Sequence, residues 1–439
     1  MRPGFAPVVT LTIWLAGAAV TTAAPATERT HYNDHDKWPH SYRDVELHDP
    51  VTVLQDQINR GLVTLTGGSD QELLGSVLRA LGVPVSSQII VFSKTSLQRR
   101  NISRENPRAM YFNEDVYVTY VPGGFLEIIS IDPTHGGIFW VLKSDGKGSH
   151  QPFERRFDCL GCHGGDFTEF LPGLMQESRF VSAEGRSLGM AEPHWPGHGI
   201  PFPDRWGGWF VTGQHGLGEH LGNTVATRGA NGIKVDMKRR AVLKSLDEFY
   251  DPDLHLTRGS DVVALLLHDH QIGFANRVME THYRLRSVLN TTNPDSPEAN
   301  AIVLDQEDQA MVKAQVEELL EYTLFKSHPQ LKGGIQESNQ EFLKAFAAGA
   351  TLADDGSSLR QFDLEPGSYL FRNRLSYMIY TDAFLQFPKR FRSLYFSRLA
   401  EVLTGSKDKG FDYLSRTERA RILRIVSETV EQLPPEFSL

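Results

Sequence analysis

The stretch VYVTYVPGGFLEIISIDPTHGGIFWVL, residues 116–142, decides how the N-terminal part of this 439-residue chain folds. Its β-branched and aromatic residues predict strands over 116–121, 125–131 and 137–142. The turn Pro122-Gly123-Gly124 joins the first two strands as a hairpin, and residues 132–136 turn into the third. Together with the apolar run 88–93, these segments predict three or four antiparallel strands.

Upstream of this stretch, Ser69-Asp70-Gln71-Glu72 is a capping box before leucines and valines at helical spacing. Gly82 and Pro84 end that helix. Residues 27–50 are polar, and we expect them to form an arm that lies over the surface.

The first 26 residues have the pattern of a secretory signal. Arg2 precedes an apolar run at 8–20, and small residues follow at 21–26, so cleavage after Ala23 or Ala26 is expected. An uncleaved anchor is the alternative, but the run is shorter than the roughly 20 residues that a membrane span needs. We therefore expect a periplasmic or otherwise exported, soluble protein with no stable membrane span after cleavage.

Downstream, the pattern becomes helical from about residue 260. Ser260 and Asp261 can cap a helix that continues to Arg286, and further helices are predicted at 305–325, 369–384 and 389–403. Capping boxes at 338–341 and 415–418 predict two more. The expected fold class is α+β, with a small antiparallel β-rich N-terminal part, a loop-rich centre and a mainly α-helical C-terminal half.

Composition narrows the class of protein. The chain is 40% hydrophobic and 23% charged, which excludes wholesale disorder, and its net charge of −9 argues against nucleic acid as a partner.

We divide the chain into a signal peptide (1–26), a β-rich domain (27–150), a central segment (151–225) and a helical domain (226–439). The central segment is rich in Gly, Pro, His and Trp with little periodicity, so we expect a large cofactor to organise it.

The central segment contains both cysteines of the chain, in Cys159-Leu160-Gly161-Cys162-His163. This spacing is the attachment signature of c-type haem: two thiols add to the two vinyl groups, and the adjacent histidine supplies the proximal nitrogen. We therefore predict one covalent haem c, with Cys159, Cys162 and His163 as its attachment and metal residues. A thioredoxin-like pair, a zinc site and a plain disulfide are the alternatives.

The sixth iron position is open to several residues. His198 is our first candidate, with Met190 and His215 behind it, whereas Met175 follows His163 closely and is a weaker one. Because haem propionates are anionic, Arg155 and Arg205, which flank the predicted pocket, are candidate cofactor-binding residues. Arg156 is a further flanking cation.

A second group of polar residues lies on the helix that begins near residue 260. His268, Asp269, His270 and Glu280 stand among apolar neighbours, and His270 and Glu280 lie within about 80° around the helix axis. They could form a wall of the haem pocket with His270 as a proton shuttle, which makes His270 and Glu280 weak catalytic candidates. A hydrogen-bonded core network is the alternative.

Several motifs along nearly the whole mature chain are similar to those of an uncharacterised family of large exported bacterial monohaem cytochrome-c-domain proteins. The resemblance strengthens the expectation of covalent haem. Similar proteins also carry a histidine that matches His198, which favours it over Met190. The motifs are Val85–Gln88, Val91–Ser96, Tyr111–Val118, Cys159–His163, Arg205–Gly208, Thr212–Gly216, Ser260–Leu265, His270-Gln271 and Ser376–Tyr380.

The functional expectation is a periplasmic monohaem c-type cytochrome that takes part in electron transfer or haem-based redox chemistry. A peroxidase-like or oxygen-dependent haem oxidoreductase with an open distal site is the first alternative, and a haem-based sensor is the second. The expected partner is a redox protein or a small-molecule substrate. The length favours a role beyond electron shuttling, because a small carrier needs only about a hundred residues.

Overall fold

The structure is a computed structural model that describes residues 29–145, 150–191, 195–236, 242–405 and 410–437. The predicted signal peptide lies outside the described residues. The helices are α1 (Pro50–Asn59), α2 (Asp70–Ala80), α3 (Leu160–His163), α4 (Val262–Leu289), α5 (Pro297–Asn300), α6 (Gln306–Thr323), α7 (Gln340–Ala348), α8 (Asp382–Leu385), α9 (Lys389–Thr404) and α10 (Arg416–Thr429). The strands are β1 (Ile89–Val91), β2 (Arg108–Phe112), β3 (Val116–Tyr120), β4 (Leu126–Asp132), β5 (Gly136–Leu142), β6 (Glu154–Arg155), β7 (Arg179–Val181), β8 (Ser187–Met190), β9 (Ala226–Gly229) and β10 (Gly232–Val235).

The main sheet has six antiparallel strands in the order β1 to β6. The strands predicted on either side of the two turns are confirmed as β3, β4 and β5, and the run 88–93 contains β1. The sequence analysis missed β2, because all five of its residues are buried and it therefore shows no alternation of polar and apolar side chains. Residues 208–210 extend the sheet beyond β1, where Val91 pairs with Trp209.

The two faces of the sheet are covered by different parts of the chain. Helices α1 and α2 pack on one face, against residues such as Tyr111 and Ile128. Helix α4 and the C-terminal helices form the larger core with residues of the other face, among them Met110, Phe112 and Tyr117. We call this second face the α4 face. The expected α+β organisation is confirmed, with strands mostly in the N-terminal half and helices concentrated in the C-terminal half.

Helix α4 is the longest helix among the described residues and is buried along most of its 28 residues. The side chain of Asp261 caps its start by accepting hydrogen bonds from the amides of Val263 and Ala264, as the sequence predicted. It ends at Asn290, which adopts the left-handed conformation with φ 46°. Because α4 packs against the sheet on one side and against α6 and α8 on others, polar side chains on its different faces meet different partners.

Two helix predictions need correction. Residues 369–384 are not one helix: they form bridges and bends, a 3₁₀ turn at Tyr377–Tyr380 and the start of α8. The amides of Arg374 and Ser376 donate to Glu418 and to the Thr323 carbonyl, so neither is available to a helix there. The cap of α7 is Asn339, one residue after the expected serine.

The arm and the centre have the irregular character that was expected. From residue 29 the arm runs over the helical half, where Arg29 forms a salt bridge with Asp308 on α6. The centre holds α3 and the short pairs β7–β8 and β9–β10 among long loops. No helix in the described part of the chain has the length and apolarity required to cross a membrane.

Candidate functional site

The Cys-x-x-Cys-His segment folds as one helical turn, α3, at the start of the loop-rich centre. The His163 amide donates to the Cys159 carbonyl at 2.9 Å, which closes the turn across the motif. Cys159 is partly buried and Cys162 is exposed, and the two thiols are not joined in a disulfide. Burial raises the pKa of Cys159 to about 11, so this thiol is protonated at neutral pH. Neither sulfur is held in a disulfide, and Cys162 is the more accessible of the two.

His163 is held in one orientation by the loop that follows it. Its Nδ1 lies 3.0 Å from the Gly173 carbonyl oxygen, and the Gly173 amide donates back to the His163 carbonyl at 2.9 Å. Since a carbonyl only accepts, Nδ1 carries the proton and Nε2 carries the lone pair. Burial lowers the pKa of His163 to about 4, which keeps the ring neutral at pH 7. A neutral imidazole whose Nδ1–H is bound to a carbonyl is the form that ligates a metal through Nε2.

The loop can make this bond only because residue 173 is glycine. A Cβ at this position would lie 2.7 Å from Cβ of Thr168 and 2.9 Å from Oδ1 of Asn276. Asn276, on α4, accepts from the amide of Leu174 and donates to its carbonyl, which fixes the loop against the helix. The orientation of His163 thus depends on α4 as well as on the motif.

The α4 face of the sheet carries charged groups close to the motif. The ring of His163 packs on Phe139 of β5, with 4.9 Å between the centroids. On β2, Arg108 is 9% exposed and its guanidinium lies 3.9 Å from the carboxylate of Glu127 on β4. That carboxylate also accepts from the hydroxyl of Ser96 at 2.8 Å. Nε of Arg108 is buried and has no hydrogen-bond partner.

Met175 and Met190 lie together in the segment that follows the motif. Both line a small cleft with Phe167 and Glu177, and its volume of about 20 Å³ has room for about one water molecule. Both methionines are partly buried. The structure thus places the weaker methionine candidates beside each other.

His198 lies in a different place. It is 1% exposed and packs between Tyr322, at 4.1 Å, and Phe325, at 4.9 Å. Its Nδ1 is 2.7 Å from Nδ1 of His270, whose Nε2 is 2.7 Å from the hydroxyl of Ser376. Nε2 of His198 is buried without a partner. Within the described residues, no hydrogen bond or ring contact joins His198 to the Cys-x-x-Cys-His segment.

The other predicted site residues have partners of their own. Arg155 donates to the Tyr42 carbonyl at 2.7 Å, and the buried Arg205 forms a salt bridge of 3.0 Å with Asp269. His215 packs against His220. Glu280 pairs with Arg284 at 2.7 Å and does not contact His270, so the structure does not join the two weak catalytic candidates.

On sequence grounds His268 was grouped with His270, and its separate position was missed. The two lie two positions apart, or about 200° around the helix, so they face opposite sides of α4. His268 is 0% exposed and packs against Phe112, Tyr117 and Trp209 on the α4 face of the sheet. Helical periodicity was the signal that could have separated them.

Among the described residues, no three His, Cys, Asp or Glu side chains are grouped so as to hold a metal ion by themselves. Comparison of the chain with protein-family models, with curated proteins and with solved structures found no match.

Proposed function

We propose that this protein is an exported c-type haem protein that carries one haem c on Cys159 and Cys162, with His163 as the proximal iron ligand. The observation that carries the proposal is the hydrogen bond from His163 Nδ1 to the Gly173 carbonyl, because it leaves Nε2 for a metal. The haem would supply reversible one-electron redox chemistry at its iron.

The residues present fit such a group. The two thiols are not joined in a disulfide and lie on one turn, with Cys162 exposed and Cys159 partly buried. The carbonyl partner of His163 makes its Nε2 more basic and fixes the plane of the ring. A zinc site would require further protein ligands, and in the described residues no group of three supplies them.

Export and partner are part of the same proposal. The N-terminal signal pattern would take the chain to the periplasm, where c-type haem is attached, and a redox protein or a small-molecule substrate would exchange electrons with it. Electron transfer requires two protein ligands on the iron, whereas a peroxidase-like or oxygen-dependent reaction requires an open position. A haem-based sensor would also use an open position.

Intact mass tests the attachment. The chain is expressed with its signal segment in a bacterium that has or lacks the cytochrome c maturation machinery. We expect one added haem only when the machinery is present, and single variants Cys159→Ala and Cys162→Ala should each keep at most one thioether. Because the chain has only two cysteines, no other thiol can hold the haem. A mass two hydrogens lower than that of the dithiol, with the machinery present, would show a disulfide and contradict the proposal.

Carbon monoxide then separates carrier from open site. The reduced holoprotein is mixed with the gas, and an unchanged Soret band indicates an iron closed by two protein ligands. The role of His198 as sixth ligand stays a prediction: if it ligates, His198→Ala changes the Soret band of the untreated protein and permits carbon monoxide to bind. Met190→Ala is the matched variant for the methionine alternative.

A further inference from the structure

His268 is a buried base without hydrogen bonds. Both ring nitrogens are buried and unpartnered, although a buried polar atom in a native fold nearly always has a partner. Its ring is surrounded by aromatic rings, with centroids at 5.2 Å from Phe112, 5.7 Å from Tyr117 and 5.9 Å from Trp209. Such an atom needs a partner that the protein itself does not provide.

The sheet register places His268 and His163 over the same face. Phe112 pairs with Tyr117, Tyr117 with Ile129, and Ile129 with Phe139, so these side chains form one row across β2 to β5. His268 packs over the Phe112 end of the row, and His163 packs over the Phe139 end. At about 4.8 Å per strand, the two ends of the row, Phe112 and Phe139, are about 14 Å apart.

The middle of that row is incompletely covered. Ile129 lies on a central strand between the buried Tyr117 and Phe139, yet it is only partly buried. A central position on a core face is normally filled at close packing. Ile129 is therefore the position of the row against which a flat group attached to the motif can lie.

Arg108 adds a positive charge to the same region. Its charge lowers the pKa of His163 and that of His268, in each case by less than burial does. The Glu127 carboxylate approaches the Arg108 guanidinium only to 3.9 Å, and the buried Nε of Arg108 has no hydrogen-bond partner. A guanidinium so placed can stabilise an anion.

We propose that His268 and Arg108 form the side of the haem pocket opposite His163 and bind a small protic ligand HX, of which hydrogen peroxide is the biological example. This inference rests on the proposed haem attachment. Because His163 and His268 pack over opposite ends of this row, we place a ligand between the iron and His268, and not a second metal–imidazole bond of about 2 Å. His268 therefore leaves room for a ligand, accepts its proton on a ring nitrogen, and Arg108 offsets the charge of X⁻.

His268 is uncharged before a ligand binds. Burial, with a smaller contribution from Arg108, lowers its pKa to about 3, so the ring is neutral at pH 7 and has a lone pair to accept a proton. The rings that face it from the packed elements are those of Phe112, Tyr117 and Trp209, and Arg108 is the charged group that acts on its pKa. The transfer is balanced: the H–X bond breaks, the proton goes to the imidazole, and the electron pair stays on X⁻.

Hydrogen cyanide is the probe that tests the proposal. The ferric holoprotein is mixed with cyanide at pH 7, and the association rate constant is measured from the Soret band. We expect His268→Leu to slow association by about 10²-fold, as for loss of a general base, because HCN must lose its proton on binding. His268→Gln, which is polar but not basic, should be as slow, and it replaces the leucine variant if that variant does not fold.

His255→Leu is the matched control. His255 is also buried with both nitrogens unpartnered, but it packs against Tyr120 and Tyr250, which belong to the core cluster on the opposite face of the sheet. Its cyanide rate should equal that of the unaltered protein. Arg108→Leu should speed dissociation of cyanide about tenfold, as for loss of one charge-assisted interaction.

The outcomes are distinguishable. A covalent haem that does not bind cyanide, or equal association rates for His268→Leu and the unaltered protein at equal haem content, would overturn this inference and leave the haem proposal intact. Absence of covalent haem by mass would overturn both.

Discussion

The two histidines on opposite sides of helix α4 differ in their hydrogen bonds. On the side of the C-terminal helices, His270 is hydrogen-bonded at both nitrogens, to His198 and to Ser376. On the side of the sheet, His268 is equally buried and bonded at neither. Burial therefore does not separate these two histidines, but their hydrogen bonds do, and its position on the α4 face separates His268 from the equally unpartnered His255.

The difference has an energetic meaning. A buried chain in which each polar atom has a partner stabilises the fold and fixes its geometry, whereas an unpartnered ring costs stability that a ligand can recover. The chain of His198, His270 and Ser376 is therefore expected to hold the helical half together. His268 is expected to contribute little to folding and much to binding.

Removal of Asp269 should have the largest effect on stability, because this residue lies between the two histidines and pairs with the buried Arg205. Asp269→Ala leaves an uncompensated guanidinium that is 2% exposed. We expect the free energy of unfolding to fall by about 3–5 kcal/mol. Urea unfolding followed by circular dichroism measures it, and a loss below 1 kcal/mol would show that water enters and solvates Arg205.

The two histidines themselves give the next largest contrast. His270→Leu leaves His198 Nδ1 and the Ser376 hydroxyl buried without their partner, which should destabilise the fold by about 2–5 kcal/mol. His268→Leu removes no hydrogen bond and places an apolar side chain among aromatic rings, so the change should be below about 1 kcal/mol. Unfolding of both variants in urea compares them directly, and equal losses would remove the distinction between the two sides of α4.

Acid should affect both sides alike. Burial lowers the pKa of His268 to about 3 and that of His270 well below its usual value, so both stay neutral in the folded protein. The unfolded chain takes up these protons below about pH 6.5. Stability is therefore complete above that pH and declines as the pH falls toward 3.

Each histidine contributes a slope of about 1.4 kcal/mol per pH unit in this range. His268→Leu and His270→Leu should each reduce the slope by one proton, measured from urea midpoints between pH 7 and pH 4. If only one of the two variants changes the slope of stability against pH, the histidine removed in the other variant is already protonated in the folded protein.

The sequence and the structure agree where local chemistry decides. The turn Pro122-Gly123-Gly124 and the cap at Asp261 are set by neighbouring residues, and both were predicted correctly. The helix predicted over 369–384 fails because Glu418 and Thr323, distant in sequence, bind its amides. The fold of the Cys-x-x-Cys-His segment is local as well, since His163 and its carbonyl partner Gly173 are only ten residues apart; its binding of haem stays a proposal.

The surroundings of the motif depend on remote strands. Arg108 belongs to β2, whose sequence shows no alternation of polar and apolar residues. Only the register of the sheet places Arg108 on the α4 face. The opposite orientations of His268 and His270 follow from helical geometry, but their partners do not. No sequence pattern indicates that Ser376 or Trp209 will face them.

Ser376→Ala should have a smaller effect than the loss of Asp269 or His270, and it is the sharpest test of the hydrogen-bonded chain His198–His270–Ser376. The hydroxyl lies 2.7 Å from His270 Nε2 and also accepts from the amide of Met378 at 3.2 Å. Its loss should cost about 1–2 kcal/mol, because one buried nitrogen loses its partner while the remaining bond to His198 persists. In a protein that already carries His270→Leu, Ser376→Ala should lower the free energy of unfolding by much less than it does alone. The hydrogen bond that the two residues share is then already broken. Additive losses in this double-mutant cycle would show that His270 and Ser376 stabilise the helical half independently, and His270 would then lose its place in a continuous chain.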